Sequence, residues 1–241
     1  LYSLLTFLAI GLAIGVYTFT TTAQQGIVVQ VVPEPLAADK IPEAPEVSLP
    51  AAKNSVVDSE RFDVKPVDWT QIDTSIFPEY QAKWDVSANK LMVGMPLGSA
   101  PDGAEVIFLS NHKASEQSVV AAQFFPQGNQ VIGLVFGSSD AGYYLFRVFA
   151  DSSTLPHRRM LQRFDAKDGY TTIADDTKGA GDTYGQWQEL RVERSGSTIV
   201  CWFAGEKVFE VEDSTLGAGV AGVYTLNMGD VYIDNFTVAQ P

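Results

Sequence analysis

Cysteine is almost missing from this chain. Its one copy, Cys201, excludes an intrachain disulfide and a cysteine-bound zinc cluster. Histidine occurs only as His112 and His157, too few for a histidine-rich metal site. Basic residues are scarce as well. Sixteen Lys and Arg stand against 29 Asp and Glu, a net charge of −13 over 241 residues. Nucleic-acid binding needs cations that displace the counterions of phosphates, and a polybasic lipid-docking surface needs the same, so neither is expected. No Gly-x-Ser-x-Gly elbow, phosphate-loop glycine pattern or Cys-x-x-Cys-His haem motif occurs. No cofactor is implied.

Charge is also unevenly placed. Residues 1–33 contain no Asp, Glu, Lys, Arg or His. The first nineteen are nearly all apolar or small, and as a helix they would reach roughly 28 Å, close to the hydrocarbon thickness of a bilayer. Tyr2 and Tyr17 lie near the two ends, where amphipathic rings favour the membrane interface. Ala9 with Ala13, and Gly11 with Gly15, form two small-x-x-x-small pairs that let a neighbouring helix approach. A cleavable secretory signal is the competing reading, with Thr21-Thr22-Ala23 as a small-residue cleavage site. The run has no basic leader, so we expect a retained transmembrane helix over residues 1–25.

Residues 26–60 read as an extended linker. Pro33, Pro35, Pro42, Pro45 and Pro50 interrupt any helix or sheet ladder, and six acids outnumber two bases over 33–60. Such a segment serves either as a passive tether or as a strap that lies along partner proteins.

Residues 61–241 hold most of the glycines and aromatics. Short β-branched and aromatic runs at 105–109, 118–125, 130–136, 143–150 and 158–164 alternate with Gly, Asp, Asn and Ser clusters. Further runs follow at 187–193, 198–203, 207–211, 218–225 and 231–238. Strands at this spacing predict an all-β fold, an antiparallel sandwich or barrel. The last 55 residues are the most telling. A strand opens at Trp187-Gln-Glu-Leu190-Arg-Val192, and two strands follow across Ala204-Gly205. Gly219-Val-Ala-Gly222-Val and Val231-Tyr-Ile-Asp234-Asn-Phe-Thr-Val238 close the chain. This order resembles the laminin-G-like, concanavalin-type jelly-roll superfamily, clearly over 180–241 and more loosely over 80–180. The resemblance implies a jelly-roll β-sandwich, and the superfamily includes sugar-binding lectins and glycoside hydrolases.

Period-two alternation through 231–238 puts Tyr232, Asp234, Phe236 and Val238 on one face. Asp234 is expected to fix neighbouring backbone, and Trp187 and Trp202 to be core or sheet-face aromatics. Hydrolases of this fold often mount their acids as Glu-x-Asp-x-x-Glu, which is absent here. Glu210 and Glu212 share a strand face and read as a solvated edge, so no catalytic residue is assigned. The loop from Asp175 and Asp176 to Asp182 is acidic and glycine-rich, the one weak calcium candidate. His112 and His157 read as loop surface residues. Arg159 and Arg163 share one strand face, Arg158 takes the other, and pairing with local acids is expected. Cys201 reads as a small buried hydrophobe. Asn235-Phe-Thr237 fits a glycosylation sequon in a strand, a poor place for one.

The leading expectation is a non-catalytic structural subunit of a larger membrane complex, energy-transducing complexes being one example. Its single helix would contact other membrane subunits and its sandwich would lie outside the cytoplasm. The first alternative is an anchored carbohydrate-binding or sugar-processing protein. The second is a filament subunit resembling type IV pilins, although Leu5 stands where those carry Glu.

Overall fold

The computed structural model describes residues 35–50, 55–73, 81–94, 105–128, 130–149, 158–226 and 230–240. The transmembrane helix expected over 1–25, with its packing positions Ala9, Gly11, Ala13 and Gly15, lies outside the described residues, as does His157. Among the described residues no helix is long and apolar enough to cross a membrane.

The described residues form two antiparallel sheets packed face to face. In chain order the strands are β1 (Ser55–Glu60), β2 (Thr70–Asp73), β3 (Lys83–Val86), β4 (Leu91–Gly94), β5 (Glu105–Ala114), β6 (Gln117–Pro126) and β7 (Val131–Ser139). They continue with β8 (Gly142–Phe149), β9 (Arg159–Asp165), β10 (Gly169–Asp176) and β11 (Gln188–Ser195). The last four are β12 (Thr198–Phe203), β13 (Glu206–Glu212), β14 (Gly219–Leu226) and β15 (Val231–Gln240). The first sheet runs β13-β12-β11-β6-β15-β4-β3, with β1 beside the second half of β15. The second runs β10-β9-β8-β7-β14-β5-β2. All ten runs read as strands from the sequence are strands here, and the jelly-roll sandwich class holds.

Turn chemistry explains the hairpins. Between β12 and β13, Ala204 and Gly205 both have positive φ, 47° and 81°, in the two-residue connection Phe203 to Glu206. That is the mirror-image turn whose twist matches the flanking strands. Inward-facing residues fill the core, among them Phe108, Phe124, Ile132, Phe146, Leu190 and Phe236. Cys201 is buried at the centre of β12, as expected. Its thiol is pushed up by burial, which keeps it protonated and unreactive.

β15 corrects the simple alternation. Val231 and Ile233 face the core, and so do Phe236 and Val238, whereas Tyr232 packs outside. The phase changes at Asn235, which has φ 51° and sits in a β-bulge against β6. One extra residue moves everything after it to the other face. Asp234 does hold local backbone, accepting the Asn235 N–H at 2.7 Å. Burial raises its carboxyl to about 6, the opposing Lys90 and Arg61 charges being smaller effects. A raised carboxyl disfavours the charged form in the fold, so the cost applies above the folded value and fades as pH falls toward about 4. Asp234→Asn, whose amide oxygen can still accept, is therefore expected to stabilise by about 1 kcal/mol at pH 7–8 after solvent screening. The gain should vanish near pH 4; urea titrations at both pH values check it.

Residues 35–50 give the most unexpected feature. They lie as an extended strap across the outer face of the first sheet. The backbone makes one 3-10 turn at Ala38–Lys40, entered from extended Ala37 at φ −62°, ψ 146° and left through extended Ile41 at φ −77°, ψ 127°. Prolines lack N–H donors, so this segment cannot join a ladder. Side chains of the sheet serve its backbone instead. Gln127 both accepts from and donates to Leu36. Trp187 Nε1 donates to Pro42 O at 2.9 Å, and Asn235 Nδ2 to Pro45 O at 2.9 Å. Glu189 accepts from Ser48 N–H, and Arg191 donates to Ser48 O at 2.6 Å. Ile41 packs with Phe125, Tyr232, Met92 and Trp187 beneath it. Pro35–Pro241 is accordingly one compact unit, and the end of the expected linker is β1, paired with β15.

Candidate functional site

The strap covers one sheet, and the outer face of the other carries a second cluster of side chains. Register fixes which side chains share it. β8 presents Tyr143, Leu145, Arg147 and Phe149, and β9 presents Met160, Gln162 and Phe164. Tyr224 comes from β14, Glu105 from β5, and Tyr170 and Thr172 from β10.

These residues meet across a surprising span. β10 and β5 are five strand steps apart in the sheet order, about 24 Å at the usual strand spacing. Yet the Tyr170 hydroxyl donates to Glu105 Oε2 at 2.6 Å. Two side chains of ordinary length close that distance only because the sheet bends across its strands. The outer face is therefore a trough whose walls touch. Tyr224 OH donates to Glu105 Oε1 at 2.9 Å, and Arg147 Nη1 donates to Tyr224 OH at 3.0 Å. Tyr143 and Tyr170 hydroxyls are 2.8 Å apart. Gly133 of β7 lies between Arg147 and Tyr224 in register. A Cβ there would sit 3.2 Å from the Tyr224 ring and 2.8 Å from Phe146 O, so only glycine allows this approach.

The chemistry of the trough is amphipathic. Tyr143 stacks on Phe164 at 4.9 Å, and Tyr170 meets Phe164 edge-on at 5.1 Å. Arg147 lies over the rings of Phe149 and Tyr224. Burial, helped by the Glu105 charge, pushes the Tyr170 and Tyr224 hydroxyls well up, so both remain donors. Two polar atoms stand out. Gln162 Oε1 and Arg147 Nε are buried without a hydrogen-bond partner, and Gln162 is 5% exposed. The Gln162 amide nitrogen donates to Thr172 at 3.2 Å.

Of the residues singled out from sequence, Asp175 alone shares the face of the trough. Asp176 is held by Arg159 at 2.7 Å and caps the Lys178 and Gly179 N–H groups. Asp175 pairs in register with Met160 and so shares the trough face at the exposed edge strand, and Asp182 is buried. Among the described residues no group of three His, Cys, Asp or Glu could hold a metal ion. Arg159 and Arg163 pair with acids, Asp176 and Glu206 for the first and Asp213 for the second. Glu210 binds Lys207, and Glu212 accepts from Ser197 and Thr198 on the exposed strand β13. Trp202 is a sheet-face aromatic under Arg191, 4.6 Å away. His112 belongs to β5 instead of a loop and pairs with Asp58 at 2.9 Å. The sequon residue Asn235 is buried under the strap, its amide already committed.

No family model matches the chain, and no curated protein matches it. Solved structures do. The carbohydrate binding module CBM66 from Bacillus subtilis superposes with a TM-score of 0.56 at 16% identity, covering 73% of this chain and 98% of that one. A Bacillus subtilis protein of unknown function with a galectin-like fold gives 0.61 at 12% identity, covering 78% and 97%. A family 16 endo-glucanase from Bacteroides ovatus gives 0.55 at 8%, covering 76% and 100%. The fold is a concanavalin-like jelly roll.

This jelly roll corrects the leading expectation of a structural subunit. That reading relied on a strap lying along partner proteins, and residues 35–50 instead lie on the chain's own sheet. The solved jelly rolls it matches include a carbohydrate-binding module and a glycoside hydrolase. Sequence reasoning missed the trough altogether. Its signal was present: Arg147, Gln162 and Tyr224 are each a polar or hydroxyl-bearing residue in phase with apolar neighbours on a buried strand.

Proposed function

We propose that this domain binds a neutral carbohydrate in the trough of its second sheet, outside the cytoplasm, without cleaving it. The observation that carries this reading is the pair of buried, partnerless atoms, Gln162 Oε1 and Arg147 Nε, set among aromatic rings. A sugar offers hydroxyl donors and acceptors beside apolar C–H faces, the pairing that such a surface satisfies. The net charge of −13 opposes acidic polysaccharides through long-range repulsion. The carbohydrate-binding and glycoside-hydrolase neighbours support the same class of ligand.

Cleavage is a separate matter. Glycoside hydrolysis ordinarily uses two carboxylates facing each other across the scissile bond. Glu105, at the start of β5, accepts hydrogen bonds from Tyr170, Tyr224 and Arg147. That engagement suits a rigid binding surface better than proton transfer.

The test is a glycan array probed with the full chain, followed by calorimetry on the best neutral oligosaccharide. Arg147→Ala and Gln162→Ala should each weaken binding by about tenfold, the cost of a lost hydrogen bond to a desolvated partner. An array with no neutral hit, or a Gln162→Ala variant that binds unchanged, sinks the proposal. Release of reducing ends from the bound sugar would overturn the non-cleaving part alone.

A further inference from the structure

The strap and the sheet beneath it share a period of three. Ala38, Ile41, Ala44, Val47 and Pro50 are buried or half-buried, and of the residues between them only Leu49 is not exposed. The donors of the sheet keep the same step. Trp187 Nε1, Asn235 Nδ2 and Arg191 Nη1 donate to the carbonyls of Pro42, Pro45 and Ser48. A polyproline II chain has three residues per turn, so every third side chain and every third carbonyl point the same way. The sequence carries this as the triplets Ile41-Pro42-Glu43 and Ala44-Pro45-Glu46, with Pro and Glu exposed in both.

The donors stand on both sides of β6. Arg191 belongs to β11, Trp187 directly precedes it, Asn235 belongs to β15, and β6 lies between those two strands. Outward residues of β6 form the floor, Gln123 in register with Glu189 and Asp234, and Ala121 with Arg191 and Thr237. The strap does not satisfy this face completely. Gln123 Oε1 is buried without a hydrogen-bond partner, in a residue 3% exposed, and so is Trp202 Nε1 beside Arg191. Main-chain carbonyls are what the donors read, and any peptide in the same conformation presents them.

We propose that the outer face of the first sheet is a recognition site for a proline-rich segment of another protein, built of apolar-Pro-x triplets. Residues 38–50 fill the site in cis until such a segment displaces them. Recognition of this kind exploits a helix that is already formed in the free ligand. Sugar binding in the trough plays no part in it.

The probe is a labelled synthetic peptide of residues 38–50, followed by fluorescence anisotropy. The receptor is the full chain with Ile41→Asp and Val47→Asp, which spoil the tethered strap and leave the sheet unchanged. It should bind the peptide saturably. The wild-type chain should bind about a hundredfold more weakly, because its tethered strap competes at a millimolar effective concentration. A peptide with one glycine inserted after Ala44 loses the triplet phase, and Trp187→Phe in the receptor keeps the ring but loses the N–H. Each should weaken binding about tenfold. If the receptor variant does not fold, the wild-type chain decides, since excess peptide should speed hydrogen exchange at the Ser48 amide. A folded variant that ignores the peptide, equal binding of the phase-shifted peptide, or Ser48 exchange unmoved by millimolar peptide overturns the proposal. Dimerisation of the wild-type chain that the peptide blocks would make the strap of a second copy the occupant, and overturns the assignment to another protein.

Discussion

Gly222→Ala is expected to lower the stability of the sandwich by about 3 kcal/mol, at the upper end of overpacking costs. Gly222 lies in the middle of β14, directly opposite Leu109 of β5 and Val135 of β7. A Cβ at this position would fall 2.0 Å from Phe108 O and 2.9 Å from Leu109 Cα. Both obstacles are backbone, so no rotamer change relieves them. β5 would have to move away from β14, and the β14–β5 ladder would weaken over its length. For a domain of this size such a loss corresponds to a fall of about 6–12 °C in melting temperature. The same movement carries Glu105, which β5 holds against Tyr224 of β14. Sugar binding should therefore fall together with stability. Calorimetric melting and a denaturant titration measure the first effect. A variant that melts within about 2 °C of wild type would show that β5 has room to shift, contrary to the geometry.

The same glycine shows what the sequence could and could not reveal. Gly219-Val-Ala-Gly222-Val marked a jelly-roll strand because the spacing matches that superfamily. The reason for the glycine, a close backbone approach by a strand more than a hundred residues earlier, is visible only in the fold. Hairpins were legible for the same local reason: Ala204-Gly205 and Gly196-Ser197 carry their turn chemistry in two residues. β2, β3 and β4 were not, being four residues each and without sustained alternation. β10 was missed because its polar run, Thr171, Thr172, Asp175 and Asp176, reads as loop; it is an edge strand with a solvated side. The bulge at Asn235 defeated a correct period because one positive φ resets it. The trough was illegible for a different reason. It is assembled from β5, β8, β9, β10 and β14, and sheet curvature, not sequence proximity, brings Tyr170 to Glu105. A composition argument led toward isolated acidic clusters, whereas Arg147, Gln162 and Tyr224 are lone polar side chains in apolar strands.

Asn235→Asp should release the strap. Asn235 donates its amide to Pro45 O at 2.9 Å and to Ala44 O at 3.4 Å. Aspartate keeps the residue's tolerance of left-handed backbone, so the bulge at φ 51° survives. It replaces the donor with an acceptor, however, and turns an attraction into a repulsion between oxygens. The expected cost is about 2 kcal/mol, a lost hydrogen bond plus the desolvation of a new charge. That is enough to matter locally, because the strap has no ladder of its own. Its other anchors are the bonds to Trp187, Glu189 and Arg191, the paired bonds to Gln127 and the burial of Ile41. Trp187→Ala removes both a bond to Pro42 and the ring that packs on Phe125 at 5.3 Å, and should combine with Asn235→Asp to free the segment. With the strap detached, Phe125, Tyr232 and Met92 form an exposed apolar patch, so the double variant should bind an apolar dye and self-associate. Hydrogen exchange at Ser48 and proteolytic cleavage within 35–50 should both accelerate, while the β8–β9 amides of the trough keep their protection. Binding of the neutral oligosaccharide should persist, because the strap and the trough occupy opposite faces of the sandwich. Exchange and cleavage that stay at wild-type rates in the double variant would mean that sheet packing alone retains the strap. Protection lost from both faces together would mean that the strap is part of the global fold, and that the two surfaces are not independent.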